Sequence, residues 1–438
     1  MRPFALVWGG QLVSVVGSAL TGFVLAVWVY QVTGSVTQLA LVTAANTVPG
    51  ILLAPVAGVV ADRWDRKKIM IIADFAAAVP TAVVAVLYWA DQLQVWQLYL
   101  TTSCTAAAGV FHSSAYFTLV PKLVPKRHLG RINGLFQVNF AMAAAAPVLG
   151  GILLSTLDVD GVLLLDLGTF VLAATALLVT RLPEGATKAT EGKAGPRSML
   201  GDLGYAFRYL AGRPGLLWLI GFSALFDLLF AFAEVLIRPL ILAFGSPATL
   251  GLLMFVGGAG LFAGTLVMTA WGGPRRKVHG SLLFTGIGGL ALALHSLAPS
   301  ALLIAIVAPV FLFTLPIVNG CVMTVFQTKV DSDALGRVTG LARVLWQAAT
   351  PLGALIAGPL ADLVFEPAMR AGGTLAGSVG SLLGTGPGRG IALLYAVIGL
   401  LLVLLAIAGS RLRRLRLLED ELPDAVTDDE PTEPAPAR

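Results

Sequence analysis

The sequence predicts an all-α membrane protein: twelve transmembrane helices in two pseudo-symmetric six-helix bundles. Three observations carry this prediction. Of 438 residues, 57% are apolar and only 12% charged, against about 25% charged in soluble proteins. Apolar runs long enough to cross a hydrocarbon core of about 30 Å recur along the whole chain. Short motifs of the first half return in the second at an offset of 206 residues. This composition excludes a soluble enzyme, a nucleic-acid binder or a disordered chain. The alternating, more polar strands of an outer-membrane barrel are absent.

The runs lie near 4–30, 37–60, 68–90, 94–120, 132–155 and 161–181, then near 214–242, 247–271, 279–298, 300–326, 340–362 and 390–410. Backbone groups in hydrocarbon must be satisfied within the segment, so each run is read as a helix. The first run is too long for a signal-peptide core and lacks a small-x-small site, so no cleavage is expected. Cys104 and Cys321 both sit in apolar runs and imply no disulfide framework.

The only long polar segment between spans is 182–213. It separates an N-terminal bundle, 1–181, from a C-terminal bundle, 214–412. Its first part, Pro183 to Arg197, has the composition of a flexible linker. Its second part places Met199, Leu203, Phe207 and Leu210 on one helical face, which reads as a short interfacial helix. The tail, 413–438, opens with arginines and continues with eight acidic residues from Glu419 onward. Without apolar periodicity it is expected to be disordered.

The net charge of +5 reports topology rather than an anionic partner. With the N-terminus inside, 26 of the 29 Lys and Arg fall in inner loops, leaving only Arg238, Arg370 and Arg389 outside. The positive-inside rule then puts both termini in the cytoplasm.

The halves read as repeats. Leu129-Gly130-Arg131-Ile132-Asn133-Gly134-Leu135 recurs as Leu335-Gly336-Arg337-Val338-Thr339-Gly340-Leu341, and Gly58 meets Gly264 at the same offset. Parallel repeats imply a pseudo-two-fold axis along the membrane normal and a cavity between the bundles.

Between spans two and three stands Gly58-Val59-Val60-Ala61-Asp62-Arg63-Trp64-Asp65-Arg66-Lys67. Gly58 suits a close helix approach, and Asp62 suits the positive end of a facing helix. Arg63, Arg66 and Lys67 suit carboxylates or lipid phosphates. Such pairs can form in one conformation and break in another. The second-half copy, Trp271 to Lys277, lacks the Asp. The segment resembles the loop 2–3 motif of the major facilitator superfamily, Gly-x-x-x-Asp-Arg-x-x-Arg-Lys. Gln11 to Ser18, Pro351-Leu352-Gly353, Ala357 to Asp362, Phe365-Glu366-Pro367 and Gly384 to Gly390 resemble its macrolide-efflux and siderophore-export branch. The resemblance covers about residues 4–418.

Ala146-Pro147-Val148-Leu149-Gly150-Gly151 is similar to a partial form of the exporters' antiporter motif. There Pro147 would kink span five, and Gly150 and Gly151 would permit tight packing. The resemblance implies an exporter of an amphipathic small molecule (a drug, macrolide, siderophore or secondary metabolite). It implies alternating access, proton antiport, a monomer and a bacterial cytoplasmic membrane. An importer or facilitator on the same fold, or a non-transporting receptor, is the alternative. Many proton-coupled members carry an Arg inside span four, and this chain has none there before Lys122.

A carboxylate at mid-bilayer costs about 2.5–3.5 kcal/mol on insertion scales and needs a partner, a proton or water. Asp227, about twelve residues into span seven, is the first candidate for the coupling proton. Glu234, seven residues on, shares its helix face, with Arg238 as an alternative partner at the outer interface. Asp74 reads as a structural acid near the basic loop, pairing with Arg66 or a neighbouring helix. Asp166 and Asp362 read as acids near the outer ends of their spans, within reach of water. Gln11, Ser14, Ser18 and Thr21 form one polar stripe on span one and read as cavity lining, with Asn139 and Gln347 as further single polar positions. His112 is the lone histidine in that region and reads as hydrogen-bonded structure. No nucleophile–base pair, metal-ligand set or phosphate loop is visible, so neither enzymatic activity nor a cofactor is expected.

Overall fold

The computed structural model describes residues 2–123, 142, 145–180 and 199–425. The first bundle holds α1 (Arg2–Thr33), α2 (Val36–Arg63), α3 (Arg66–Trp89), α4 (Val95–Leu123), α5 (Ala145–Thr156) and α6 (Asp158–Val179). The second holds α7 (Pro214–Leu242), α8 (Pro247–Trp271), α9 (Lys277–Leu294), α10 (Ala301–Lys329), α11 (Ser332–Pro359) and α12 (Arg389–Arg411). Ten of these helices are long and apolar enough to cross a membrane by that measure alone. With α4 and the described part of α5 they make twelve.

The pairings repeat at a shift of six helices. Within the first bundle α1 packs on α6, α2 on α4, and α3 on both α4 and α6. In the second, α8 packs on α10, and α9 on both α10 and α12. Small residues set the close approaches, as is usual between helices in lipid. Where α9 crosses α12, a Cβ on Gly289 would stand 2.7 Å from the Gly399 carbonyl. The repeat is not exact at its motif glycines. Gly264 packs against the Phe313 backbone of α10, whereas nothing lies within 4 Å of where a Gly58 Cβ would sit. The close approach expected at Gly58 is therefore absent here.

The two ends of the body differ. The basic end carries the turns rich in Lys and Arg, and the far end carries residues 34–35, 243–246 and 360–388. At the far end α11 runs through a π-helical stretch, Leu360–Phe365, into a short helix, Glu366–Met369. A second short helix, Val379–Leu383, follows before α12.

A helix spans Met199–Ala211 ahead of α7. Among its described side chains Ala206 and Leu210 are buried, packed with Leu216, Phe326 and Val330. Phe207, on the apolar face of this helix, is 62% exposed. Tyr209 turns to the α10–α11 connection instead, donating to Asp331 at 2.9 Å.

The tail is folded as far as residue 425, against the expectation of disorder from 413 onward. Short helices form at Arg413–Arg416 and Leu418–Glu421. The Glu419 carboxylate accepts from the backbone N–H groups of Lys277 and Val278 at 2.8 and 3.0 Å, satisfying the first turn of α9. Lys329 donates to the Glu419 carbonyl at 2.8 Å and pairs with Asp424 at 2.8 Å. The α9 turn, whose motif copy lacks an acid, thus receives one from the tail.

Candidate transport site

The polar stripe on α1 faces the interior of the first bundle. Gln11 and Ser14 are buried. Gln11 Nε2 donates to Asp74 Oδ2 at 3.3 Å, from α1 to α3. His112 of α4 brings Nε2 to 3.4 Å from Asp74 Oδ1 and stacks on Tyr116 with ring centroids 6.0 Å apart. The three groups border a cavity of about 580 Å³ with Ser14, Ser18 and Asn46. Asp74 is thus no partner of Arg66. It is a buried acid between an amide and an imidazole.

Asp166 is 1% exposed, against the expectation that it reaches water at the outer end of α6, and it borders an internal cavity instead. It lies eight residues inside that helix and faces α1. Ser18 donates to its carboxylate at 3.3 Å, and Thr169 donates to its backbone carbonyl at 2.7 Å. Gly17 permits this seat, because a Cβ there would stand 2.8 Å from Asp166 Oδ1.

The acids singled out in the second bundle are less enclosed by polar groups. Asp227 is half-buried on α7, and among the described residues it makes no hydrogen bond or ion pair. Glu234 is exposed and borders a small apolar cavity of about 140 Å³ with Phe230, Met254, Phe311 and Tyr395. It forms no ion pair with Arg238 among the described residues. Gln347 is exposed on α11 and lies outside the first-bundle cavity. Asn139 lies outside the described residues.

In the loop 2–3 segment, Arg66 is buried and its Nε donates to Thr118 of α4 at 3.2 Å. Lys67 donates to the Leu178 and Thr180 carbonyls at 3.2 and 2.8 Å, at the negative end of α6, rather than to a carboxylate. Arg63 is exposed. The Asp62 side chain lies outside the described set. Asp65, which the motif leaves open, caps α3 by accepting from Lys68 N at 2.9 Å.

Among the described residues the bundles meet at the far end where α5 faces α8 and where α2 faces α11 and α7. Gly151 of α5 lies against α8, its Cβ position 2.7 Å from the Pro247 carbonyl, and Gly251 of α8 lies against the Pro147 backbone. Gly150 turns the other way, onto Phe23 of α1. The second contact joins α2 to α11. Gly358 fits against Thr37 and Ala40, and Asp362 accepts from the Ser35 hydroxyl and from Val36 N and Thr37 N at 2.6, 3.0 and 2.8 Å. Four residues on, Glu366 caps α12 within its own bundle, accepting from Ile391 N at 3.0 Å. A vestibule of about 980 Å³ opens above, lined by Tyr30, Gln38, Asp362, Glu366 and Arg370.

The Asp74 cluster was within reach of sequence reasoning. Gln11 is nine residues from the start of α1, Asp74 eight from the start of α3, and His112 eleven from the end of α4. All three lie at one depth. Matching polar residues by depth across helices, rather than ranking each acid by its own span, would have found them.

Twelve helices in paired six-helix bundles, with opposed glycine faces and separable end contacts, define a membrane transporter rather than an enzyme. The family model of the Major Facilitator Superfamily matches residues 7–354, and the chain belongs to that family. It is 23% identical over 369 residues to "Macrolide efflux protein A" of Streptococcus pyogenes, covering 82% of this chain and 90% of that one. It is 27% identical over 372 residues to "Multidrug efflux pump Tap" of Mycobacterium tuberculosis, covering 82% and 87%. In structure it is similar to the nucleoside transporter NupG, at TM-score 0.70 and 14% identity over 93% of this chain and 99% of that one. It is also similar to an inward-facing, unoccupied bacterial homolog of the human lysosomal transporter Spinster, at TM-score 0.64 and 15% identity, covering 95% of each. The chain is thus a multi-pass membrane transporter with a small-molecule substrate.

Proposed function

We propose that this transporter exports an amphipathic small molecule across the bacterial cytoplasmic membrane by alternating access, in exchange for protons. In this reading the basic end faces the cytoplasm and both termini lie there. The bundles, 1–181 and 214–412, joined by the linker 182–213, rock about a central site. The observation that carries the reading is the far-end closure. Two inter-bundle contacts, one of opposed glycines and one of hydrogen bonds to Asp362, shut that end with groups that can part. At that end of α2 the Gly58 position itself has nothing packed on it, while Val60 packs against the cluster around Ala115 and Leu119 of α4. That arrangement suits a state open to the cytoplasm. The names of the efflux relatives support the direction.

Two sets of acids are available for coupling. Asp74, with Gln11 and His112, has partners and a cavity. Asp227, with Glu234, has a helix face but no polar partner among the described residues. We assign coupling first to Asp74 and keep Asp227 as the second reading, on the strength of its unpaired carboxylate.

Inverted membrane vesicles test the proposal. Energised vesicles should accumulate erythromycin or ethidium above passive controls, and an uncoupler should abolish the accumulation. Loss of either probe from the vesicles on energisation would indicate an importer. No flux of any probe in a chemically diverse panel would indicate a receptor.

A further inference from the structure

The first bundle contains a second polar cavity beyond the one that holds Asp74. It measures about 150 Å³ and is bordered by Thr21, Thr81, Thr102 and Asp166. The two cavities share three wall residues: Ser18, Asn46 and Thr105. Together they run from Phe117 to Thr101 along α4. Sixteen residues at 1.5 Å each make about 24 Å, most of a hydrocarbon core of about 30 Å. At about 30 Å³ per molecule the smaller cavity has room for several waters.

The two buried acids stand at opposite levels of this track. Asp74 is eight residues from the basic end of α3, and Asp166 eight from the far end of α6. Their partners on α1, Gln11 and Ser18, are seven residues apart, two turns along one face. Thr21, 8% exposed, borders the smaller cavity and its side chain faces the Asp166 carboxylate. The groups facing Asp74 are Gln11 of α1 and His112 of α4, while Ser18 and Thr21 of α1 and Thr169 of α6 face Asp166. Among the described residues no cation pairs with either carboxylate, apart from His112 when it is protonated.

We propose that the first bundle carries its own proton path, with Asp166 as its far-end station and Asp74 as its basic-end station. The inference rests on the proton-antiport reading above. A proton from the far side binds the Asp166 carboxylate and leaves it for a water held by Ser18, Asn46 and Thr105. It then reaches the Asp74 carboxylate and is released at the basic end. One proton enters and one leaves, and no bond other than O–H is made or broken. His112, whose Nε2 stands 3.4 Å from Asp74 Oδ1, can hold the proton transiently.

The test uses the full chain in proteoliposomes, with two readouts. The first is infrared difference spectra between acid and alkaline conditions, which show protonated carboxyl groups without any substrate. Asp166→Asn should remove one carboxyl band and shift another, and Asp74→Asn should do the reverse. Bands that vanish without shifting their neighbour overturn a shared path. The second is uptake of erythromycin driven by a pH gradient, compared with erythromycin counterflow at uniform pH. Either Asn variant should lower driven uptake about tenfold or more, the double variant should be no worse, and counterflow should fall far less. Thr105→Val, near-isosteric and in the shared wall, should also slow driven uptake. Driven uptake that survives Asp166→Asn at the wild-type rate overturns the proposal. Coupled carboxyl bands in a wild-type protein that shows no driven uptake would leave the path standing and overturn the antiport reading instead.

Discussion

Ser35 and Asp362 are 327 positions apart, yet the Ser35 hydroxyl donates to the Asp362 carboxylate at 2.6 Å. The same carboxylate accepts from two backbone N–H groups at the start of α2. A negative charge at a helix N-terminus is favoured by the helix dipole and by the unpaired N–H groups there. Because α2 and α11 belong to different bundles, this contact ties the two together at one end. It must part whenever that end opens.

Asp362→Ala should therefore release the far end. Each hydrogen bond to an ionised group contributes about 1.5–3 kcal/mol, and water recovers part of that in the open state. A net loss of about 1.4 kcal/mol shifts the two populations about tenfold. Spin labels at Gln92 and Pro299, both exposed in far-end turns, should report a longer distance component in the variant. An unchanged distance distribution would remove Asp362 from the gate.

The glycine contact between α5 and α8 should act by shape alone. A Cβ at Gly251 would already stand 3.1 Å from Val148 Cα, so Gly251→Val has no room while the far end is shut. The variant should hold that end apart and stop turnover while leaving the protein in the membrane. Wild-type transport by Gly251→Val would mean that this contact is not part of the cycle.

Asp74→Asn and Asp227→Asn separate the two coupling assignments. Asp74→Asn should lower gradient-driven transport about tenfold or more, and Asp227→Asn should leave the response to a pH gradient in place. The reverse pattern in energised vesicles would transfer coupling to α7.

Glu419→Ala should destabilise the second bundle by about 0.5–2 kcal/mol, the usual cost of a lost helix N-cap. Thermal unfolding in detergent would show it as a lower midpoint. Asp424→Ala, which removes only the exposed partner of Lys329, should cost about 1 kcal/mol or less.

The sequence disclosed the frame more fully than the site. Twelve helices could be read because each needs about twenty apolar residues, which is local information. Gly150 and Gly151 were flagged for packing, but only the tertiary arrangement sends one to Phe23 and the other across to Pro247. Asp227 ranked first because it sits deep in its own span. Asp74 gains its place from two other helices at the same depth, a relation no single span displays. Asp166 looked accessible because its neighbours on α6 start near the far end, and the seat made by Gly17 on α1 is invisible along the chain. The order of the tail has a related cause. Its composition signals disorder, and what orders Glu419 is an unpaired helix start far back in sequence.

That last contact bears on how the protein is made. Lys277 waits 142 residues for the carboxylate that completes its helix. At about 5–20 residues per second, α9 sits in the membrane for roughly 7–28 seconds with its first amides open. During that interval α9 lacks the carboxylate that caps its first turn. Substitutions that loosen the tail would then lower the yield of assembled protein without touching the transport route itself.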